Sequence, residues 1–175
     1  MDLRYPVGAF SEPAGALSQM ERKSLIADVA ETPERLRRAV GGLSGEQLEV
    51  PYRPDGWTSR QVAHHLPDSH MNGCIRLKLA LTETEPTIWL YDEAEWAKLP
   101  DVRGTPLETS LDLLDSLHRR WVVLWESLSE SQFARTLRHP EFGTMSVDQL
   151  LALYAWHGRH HVAHITSLRN RMSWT

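Results

Sequence analysis

The sequence predicts an all-α protein, a four-helix bundle in which a long crossover joins the second and third long helices. Four long stretches carry apolar residues at the spacing of amphipathic helices, and three of them begin with a capping-box sequence. Sustained alternation of apolar and polar residues, which would indicate strands, is almost absent. Helices of this kind bury their apolar faces against one another, so a bundle is the expected architecture.

The composition is that of one globular domain, and we expect residues 1–175 to form a single metal-binding domain. The chain is 41% hydrophobic, its net charge is −4 and its pI is about 6.1, which argues against binding to nucleic acid or to an anionic membrane. No uninterrupted apolar stretch is long enough to cross a membrane, and no signal peptide is recognisable. The single cysteine, Cys74, excludes an internal disulfide and leads us to expect a cytoplasmic protein.

An extended N-terminal arm, residues 1–17, is expected to precede the first long helix. The sequence Ser18-Gln-Met-Glu21 is a capping box and starts this helix, and Gly41-Gly42 ends it. Pro33 lies inside the helical pattern and predicts a kink or a restart. A short helical turn and a turn-rich loop should then lead to the second long helix.

The second long helix begins at the capping box Thr58-Ser-Arg-Gln61 and extends to about Leu81. On a helical wheel His64 lies nearly opposite the apolar stripe, which predicts a surface position. His65 lies on the near edge of the stripe and is expected to face inward. Pro67 should bend the helix close to the point where His65 is presented.

Residues 82–106 contain three prolines and no sustained periodicity, so they predict a long crossover with a short helical turn near 92–98. The third long helix covers roughly 107–128. His118 lies on its apolar face, either as a hydrogen-bonded core residue or as a hydrogen-bond partner of a metal ligand. His70, in the second helix, also lies near the core.

The fourth long helix follows a loop at 138–143, in which His139 is expected to be exposed, and reaches about Arg171. In this helix four histidines share one face within an arc of about 100° and interrupt the apolar stripe that faces the core: His157, His160, His161 and His164. One buried histidine would be a hydrogen-bonded core residue, but four need several partners, and a metal ion satisfies several imidazoles at once.

A third ligand has to come from another helix, and His65 fits by position along the bundle. At 1.5 Å per residue, His65 lies about 10 Å from the start of its helix, and His160 and His164 lie about 10–17 Å from the end of theirs. These levels agree if the two helices are antiparallel and differ by about 10–15 Å if they are parallel. Spacing alone permits two gripping pairs, His157/His161 and His160/His164, and does not choose between them.

Three segments resemble the YfiT-like branch of the DinB superfamily, and the likeness covers nearly the whole chain: Gly56-Trp-Thr-Ser-Arg-Gln-Val-Ala-His-His65-Leu, Asp68-Ser-His-Met-Asn72 and Tyr154-Ala-Trp-His157 continuing to His164-Ile. The resemblance implies a four-helix bundle with up-down-down-up topology, and it suggests a homodimer. It also implies one divalent metal ion held by His65, His160 and His164. His157 and His161 then become candidates, with His118, for bonding to these ligands or facing the substrate, and no catalytic residue is assigned.

Three imidazoles and an open coordination position are typical of a catalytic metal site. Nitrogen ligands suit zinc, nickel and iron alike, so the sequence does not identify the ion. Cys74 lies about 100° from the centre of the stripe and is a poor fourth ligand. Arg53, Arg76 and Arg159 are candidates for binding anionic groups, and solvated surface positions are the alternative for each.

Three functions fit this site. The resemblance favours an S-transferase in which the metal activates a small thiol such as bacillithiol for attack on an electrophile. The alternative is a hydrolase that uses metal-activated water; it needs a carboxylate base, and Asp68, the nearest in sequence, lies away from the centre of the core face. The third function is a non-catalytic, metal-stabilised binding module, which a closed fourth ligand position would favour.

Overall fold

The structure, a computed structural model, describes residues 2–174 and confirms the predicted four-helix bundle. Four long helices form the bundle, and short elements connect them. The elements in chain order are α1 (Gln19–Val40), α2 (Gly45–Leu48), α3 (Ser59–Thr82), α4 (Glu93–Trp96), α5 (Pro100–Gly104), α6 (Leu107–Glu126), α7 (Glu130–Phe133), β1 (Thr136–His139), β2 (Gly143–Ser146) and α8 (Val147–Met172). None of the described helices has the length and apolar character needed to span a membrane.

Helices α1 and α8 run parallel. Near their starts, Arg22 donates two hydrogen bonds to the buried carboxylate of Asp148, at 2.7 and 2.8 Å. Near their ends, Arg169 donates to the backbone carbonyl of Ala39 at 3.0 Å. The backbone N–H of Leu17 also donates to Asp148, at 3.1 Å, so the same carboxylate holds the end of the N-terminal arm against α8.

Helices α3 and α6 also run parallel, which requires the long crossover between them. His64 Nδ1 lies 2.7 Å from Ser110 Oγ, and six residues further along α3 His70 Nδ1 lies 2.7 Å from His118 Nε2. The prediction that His64 is at the surface is therefore wrong: its side chain is buried. The helical-wheel prediction assumed that this helix has one buried face, whereas α3 packs against α6 on one side and against α8 on another.

Helices α3 and α8 are antiparallel, so the bundle has the predicted up-down-down-up topology. The rings of His65 and His161 lie 4.8 Å apart, while further along α3 Gly73 faces Tyr154, which precedes His161 on α8. A Cβ atom on Gly73 would lie 2.3 Å from the Tyr154 ring. Only glycine permits this close approach, which fixes how the two helices sit against each other.

A small β-hairpin stands where the sequence predicted a loop. Strands β1 and β2 pair antiparallel, with Thr136 opposite Ser146, and Gly143 adopts a φ of +72° at the turn. The backbone of Arg138 also bonds to the crossover on its other side. His139 is buried rather than exposed because the hairpin folds back over it. Strands of four residues are too short to give a clear alternating pattern.

Both prolines lie inside continuous helices. Of the two outcomes expected at Pro33, a kink or a restart, the restart does not occur, because α1 is one continuous helix across this proline; α3 likewise continues across Pro67, where a bend was expected. A proline removes one backbone N–H and so leaves the carbonyl four residues earlier without its helical partner. In α1 that carbonyl belongs to Val29, and it accepts a hydrogen bond from the His118 ring at 2.6 Å instead.

Candidate metal centre

The histidines converge on a cavity of 630 Å³ between α3 and α8, closed by the crossover, the hairpin and the N-terminal arm. Of the nine histidines, eight are buried and His157 is partly buried. Six of them line the cavity: His65, His157, His160, His161 and His164 from the two helices, and His139 from the hairpin. Capping helps to place these residues, because α3 and α8 each begin directly after the first residue of their capping box, Thr58 and Ser146.

Two sets of three histidines bring their ligand nitrogens within 4.8 Å of one another: His65, His157 and His161 form one set, and His160, His161 and His164 form the other. The trio inferred from the resemblance, His65, His160 and His164, is divided between these sets and is not itself one of them in residues 2–174. The pair whose ligand nitrogens lie close to that of His65 is thus His157 and His161, the other of the two pairs that the spacing allows. The reason is the rotation of α8, which turns positions 157 and 161 towards α3.

His160 and His164 face the N-terminal arm and the loop before α3. His164 Nε2 donates to the backbone carbonyl of Arg4 at 3.1 Å, and its ring stacks on Tyr52 with centroids 3.8 Å apart. The His160 ring stacks on Trp156 at 4.4 Å. Because its Nε2 is used as a donor, a neutral His164 has only Nδ1 available as a metal ligand.

The nitrogens of His65 and His157 have the separation expected of two ligands on one ion. Their Nε2 atoms lie 3.4 Å apart, although they come from different helices. Two nitrogens that each lie about 2.0–2.1 Å from a tetrahedral zinc ion are about 3.3–3.4 Å apart. The observed pair therefore fits a shared divalent ion without rearrangement.

A chain of hydrogen bonds through the buried imidazoles of His118 and His70 sets the tautomer of His157. The Val29 carbonyl can only accept, so Nδ1 of His118 carries the proton and its Nε2 is an acceptor. His70 then donates from Nδ1 to His118 at 2.7 Å, and His157 donates from Nδ1 to His70 Nε2 at 3.1 Å. Each neutral imidazole carries one proton, so the Nε2 of His157 is unprotonated, with its lone pair beside His65 at 3.4 Å and the Ser69 hydroxyl at 3.5 Å. This is the nitrogen that a metal ion needs.

No pattern in the sequence predicted directly that His70 belongs to this chain of hydrogen bonds. The signal that bears on it is Pro33, because it frees the Val29 carbonyl at which the chain of hydrogen bonds begins. Of the residues predicted to support the ligands, His118 is linked to His157 by hydrogen bonds through His70, whereas His157 and His161 belong to a candidate ligand set themselves.

Burial keeps these imidazoles neutral at pH 7. It lowers the pKa of His65 to about 4, with a further contribution from His160, whose own pKa is also lowered to about 4 by burial and by His164. Burial, followed by repulsion from neighbouring imidazoles, lowers the pKa of His70, His157 and His161 well below the usual value. Neutral imidazole is the form that binds a metal ion.

Three buried nitrogens close to the cavity lack hydrogen-bond partners among the described residues. They are the Nδ1 atoms of His160, His161 and His164. Buried polar atoms are nearly always satisfied, so these three nitrogens on adjacent imidazoles can bind a ligand or water that enters the cavity.

Carboxylates are absent from the buried part of the cavity as the structure describes it. Asp68 does not line the cavity, and partial burial raises its pKa to about 6. The lining carboxylates are those of Asp55, Glu93 and Glu141, and all three residues are exposed. Cys74 is buried in the apolar core, where burial raises the pKa of its thiol, so it is not a fourth ligand.

The fold and the site together define a class of protein: a four-helix bundle with up-down-down-up topology and a histidine-rich candidate metal centre between two antiparallel helices. The model of the DinB superfamily matches residues 29–165. The chain belongs to the DinB superfamily.

Relatives and solved structures agree with this assignment. Proteins of Bacillus mycoides (strain KBAB4) and Bacillus cereus (strain B4264) are each 50% identical over 173 residues, which is 99% of both chains, and carry the name "Putative metal-dependent hydrolase". YfiT from Bacillus subtilis, described as "a probable metal-dependent hydrolase with an unusual four-helix bundle topology", is 43% identical over the full length of both chains, with a TM-score of 0.96. The four-helix bundle protein TT2238 is 20% identical, with a TM-score of 0.57 over 81% of this chain and 94% of its own, and shows the fold alone.

Proposed function

We propose that this protein is a metal-dependent enzyme whose divalent ion is held by His65, His157 and His161. The observation that carries this proposal is the 3.4 Å separation of the His65 and His157 Nε2 atoms, with His161 completing the set. The names of the Bacillus relatives and of YfiT support metal dependence. The trio of His65, His160 and His164 is the alternative ligand set.

Three protein nitrogens leave a further coordination position for substrate or solvent, as in catalytic rather than structural sites. The adjoining cavity of 630 Å³ gives a small molecule access to that position. A divalent ion bound there supplies Lewis-acid chemistry, lowering the pKa of a thiol or a water molecule that reaches it. Zinc, nickel and iron all suit a set of nitrogen ligands.

The reaction that we propose is S-transfer from a small thiol, such as bacillithiol, to an electrophile. The thiolate sulfur forms a bond to an electrophilic carbon, the leaving group departs with the electrons of the broken bond, and the thiol proton passes to solvent. The absence of a carboxylate from the buried part of the described cavity supports this choice. A thiolate is itself the nucleophile, whereas attack by water calls for a general base.

Hydrolysis is the second candidate, and the names of the relatives favour it. Its general base would be one of the exposed carboxylates that line the cavity, Asp55, Glu93 or Glu141, or a lining imidazole outside the ligand set, such as His160. A metal-stabilised binding module without catalysis is the third. The homodimer that the resemblance suggests stays a prediction, which light scattering of the purified protein would check.

The test of the ligand set is the zinc content of two variants. His157→Ala and His160→Ala remove neighbouring imidazoles from the same helix, so each controls for the general effect of the other. We expect purified His157→Ala to lose stoichiometric zinc and His160→Ala to keep it. The reverse result would assign the ion to the set that contains His160 and His164.

The test of the reaction compares two assays of the zinc- or nickel-loaded protein. One follows arylation of a small thiol by chlorodinitrobenzene, and the other follows hydrolysis of nitrophenyl acetate without a thiol. Thiol-dependent turnover that His157→Ala abolishes supports S-transfer. Turnover of the ester alone supports hydrolysis. A protein that binds the metal but shows neither activity supports the third function, a non-catalytic binding module.

A further inference from the structure

We propose that the substrate carries a negatively charged oxygen group, such as a carboxylate, which Arg76 binds in the wall of the cavity. This inference rests on the proposed function, because it concerns a molecule that reaches the metal centre. It identifies the chemical class of that molecule.

Arg76 is a buried cation at the edge of the cavity. The residue is only 9% exposed, and it lines the cavity from α3. Nη1 donates to the hydroxyl of Tyr154 at 3.0 Å, and Nη2 donates to the backbone carbonyl of Trp89 at 3.1 Å. A guanidinium has five N–H donors, so these two bonds leave three of them for another acceptor.

No carboxylate of residues 2–174 lies within 4.0 Å of the Arg76 guanidinium. Arg22 shows how this protein treats a buried arginine with a structural role: it is 5% exposed and forms two bonds to Asp148 and an ion pair with Glu130. Burying an uncompensated charge is unfavourable. The different surroundings of Arg76 therefore indicate that its counter-ion comes from outside the chain.

The position of Arg76 connects it to the metal centre. Its partner Tyr154 packs against His157, with ring centroids 6.1 Å apart, so one side chain separates the guanidinium from a candidate ligand. Its charge also reaches His139 across the cavity: burial is the main cause of the lowered pKa of His139, and Arg76 adds to it. An anionic group bound here would lie beside the metal centre.

A second arginine lines the same cavity from the loop before α3. Arg53 Nε is buried and has no hydrogen-bond partner among the described residues, and its guanidinium lies over the Tyr52 ring. By contrast Arg159, the third arginine that the sequence suggested, forms an ion pair with Asp28 and does not line the cavity. The cavity thus offers two cations that lack a carboxylate partner, and Arg76 is the more deeply buried.

The alternative role for Arg76 is structural, since it holds the crossover through the Trp89 carbonyl. Arg135 supplies the matched control. It donates to the backbone carbonyls of Ala80 and Glu83, both at 2.6 Å, and does not line the cavity. Replacing either arginine by methionine removes bonds to backbone carbonyls, but only Arg76→Met removes a cation from the cavity.

The experiment measures binding rather than turnover. Zinc-loaded protein is titrated calorimetrically with mercaptoacetate, mercaptopropionate and mercaptobutyrate, and with the neutral amide of each. A charge-assisted hydrogen bond contributes about 1.5–3 kcal/mol, so the best-fitting carboxylate should bind about 10–100-fold more tightly than its amide. Arg76→Met should abolish this preference and leave amide binding unchanged, Arg76→Lys should keep part of it, and Arg135→Met should keep all of it.

The outcomes separate the two proposals. If carboxylates and amides bind the native protein equally, or if Arg76→Met keeps the preference, the role of Arg76 is overturned while the thiol site stands. Binding of carboxylates alone supports Arg76 and counts against the thiol site. If no probe binds, both are overturned. If both Arg76→Met and Arg135→Met lose the preference for carboxylates over amides, the preference depends on the conformation of the crossover and not on the charge of Arg76.

Discussion

His118 lies at the far end of the imidazole chain, and replacing it should weaken metal binding without removing a ligand. In His118→Leu the His70 ring loses the acceptor of its Nδ1 proton. His70 is then no longer held as an acceptor towards His157, and the lone pair on His157 Nε2 is no longer fixed towards His65. The metal would have to select one tautomer from two.

The magnitude follows from the number of bonds that are lost. The substitution breaks one bond to a backbone carbonyl and one to an imidazole, at 2.6 and 2.7 Å, both inside the core. Removing a hydrogen-bond partner of a metal ligand typically lowers affinity about 10–100-fold. Because His118 acts on the ligand His157 through His70, we expect zinc affinity to fall by about 10-fold, the lower end of this range, which corresponds to about 1.4 kcal/mol.

The assay is competition for zinc against a chromophoric chelator, with nitrogen NMR of the His157 ring to report its tautomer. His118→Gln is the rescue variant, because its amide N–H can donate to the Val29 carbonyl while its amide oxygen accepts from His70. We expect His118→Gln to recover most of the affinity that His118→Leu loses. A merely structural role for His118 would not move the His157 tautomer.

Two results would refute this reasoning. The first is a folded His118→Leu protein that binds zinc as tightly as the native protein. The second is a His157 ring that carries its proton on Nε2 in the native, metal-free protein.

Three further predictions concern stability. The pKa of His118 is about 4 in the folded protein, against 6.5 in the unfolded chain, so the unfolded chain binds the proton first as the pH falls. The metal-free protein should therefore lose up to about 3 kcal/mol of stability from this residue between pH 6.5 and pH 4. Urea unfolding of His118→Leu should show a smaller loss over the same pH range. Gly73→Ala should destabilise the protein by about 1–3 kcal/mol because the new Cβ meets the Tyr154 ring, and an unchanged urea midpoint would contradict the close packing. Arg22→Met leaves the Asp148 carboxylate buried and unpaired, so thermal unfolding should report a loss of about 3–5 kcal/mol, whereas a change below 1 kcal/mol would show that the pair is not needed.

The long helices were predictable because their signals are local. The capping boxes at Ser18, Thr58 and Ser146 each involve residues three apart, and the structure shows the paired hydrogen bonds of all three. The requirement that His65 share a level with the histidines of α8 also predicted that these two helices are antiparallel, and they are.

The choice between the two histidine pairs of α8 was not predictable from spacing. Both pairs are four residues apart, and they differ only in which neighbour α8 turns them towards. That rotation depends on the contact of Gly73 with Tyr154, which joins residues far apart in the sequence. The resemblance pointed to His160 and His164, whereas the structure brings His157 and His161 to His65.

The misplaced histidines have the same kind of cause. His64 was assigned to the surface from a wheel with one apolar stripe, but Ser110 on α6 accommodates it as a polar residue inside the bundle. His139 depends on a hairpin whose strands are too short to be recognised. In both cases a neighbour distant in the chain decides the burial.

Pro33 gives α1 a part in the chemistry, although that helix contributes no histidine. A residue with an amide proton at this position would return the Val29 carbonyl to its own helix and compete with His118 for it. Pro33 thus keeps the carbonyl oxygen of Val29 available as an acceptor. The arrangement of protons on the rings of His118, His70 and His157 is set from that oxygen. A search for determinants of reactivity in this protein that considers only side chains around the cavity would overlook the helix on which that order depends.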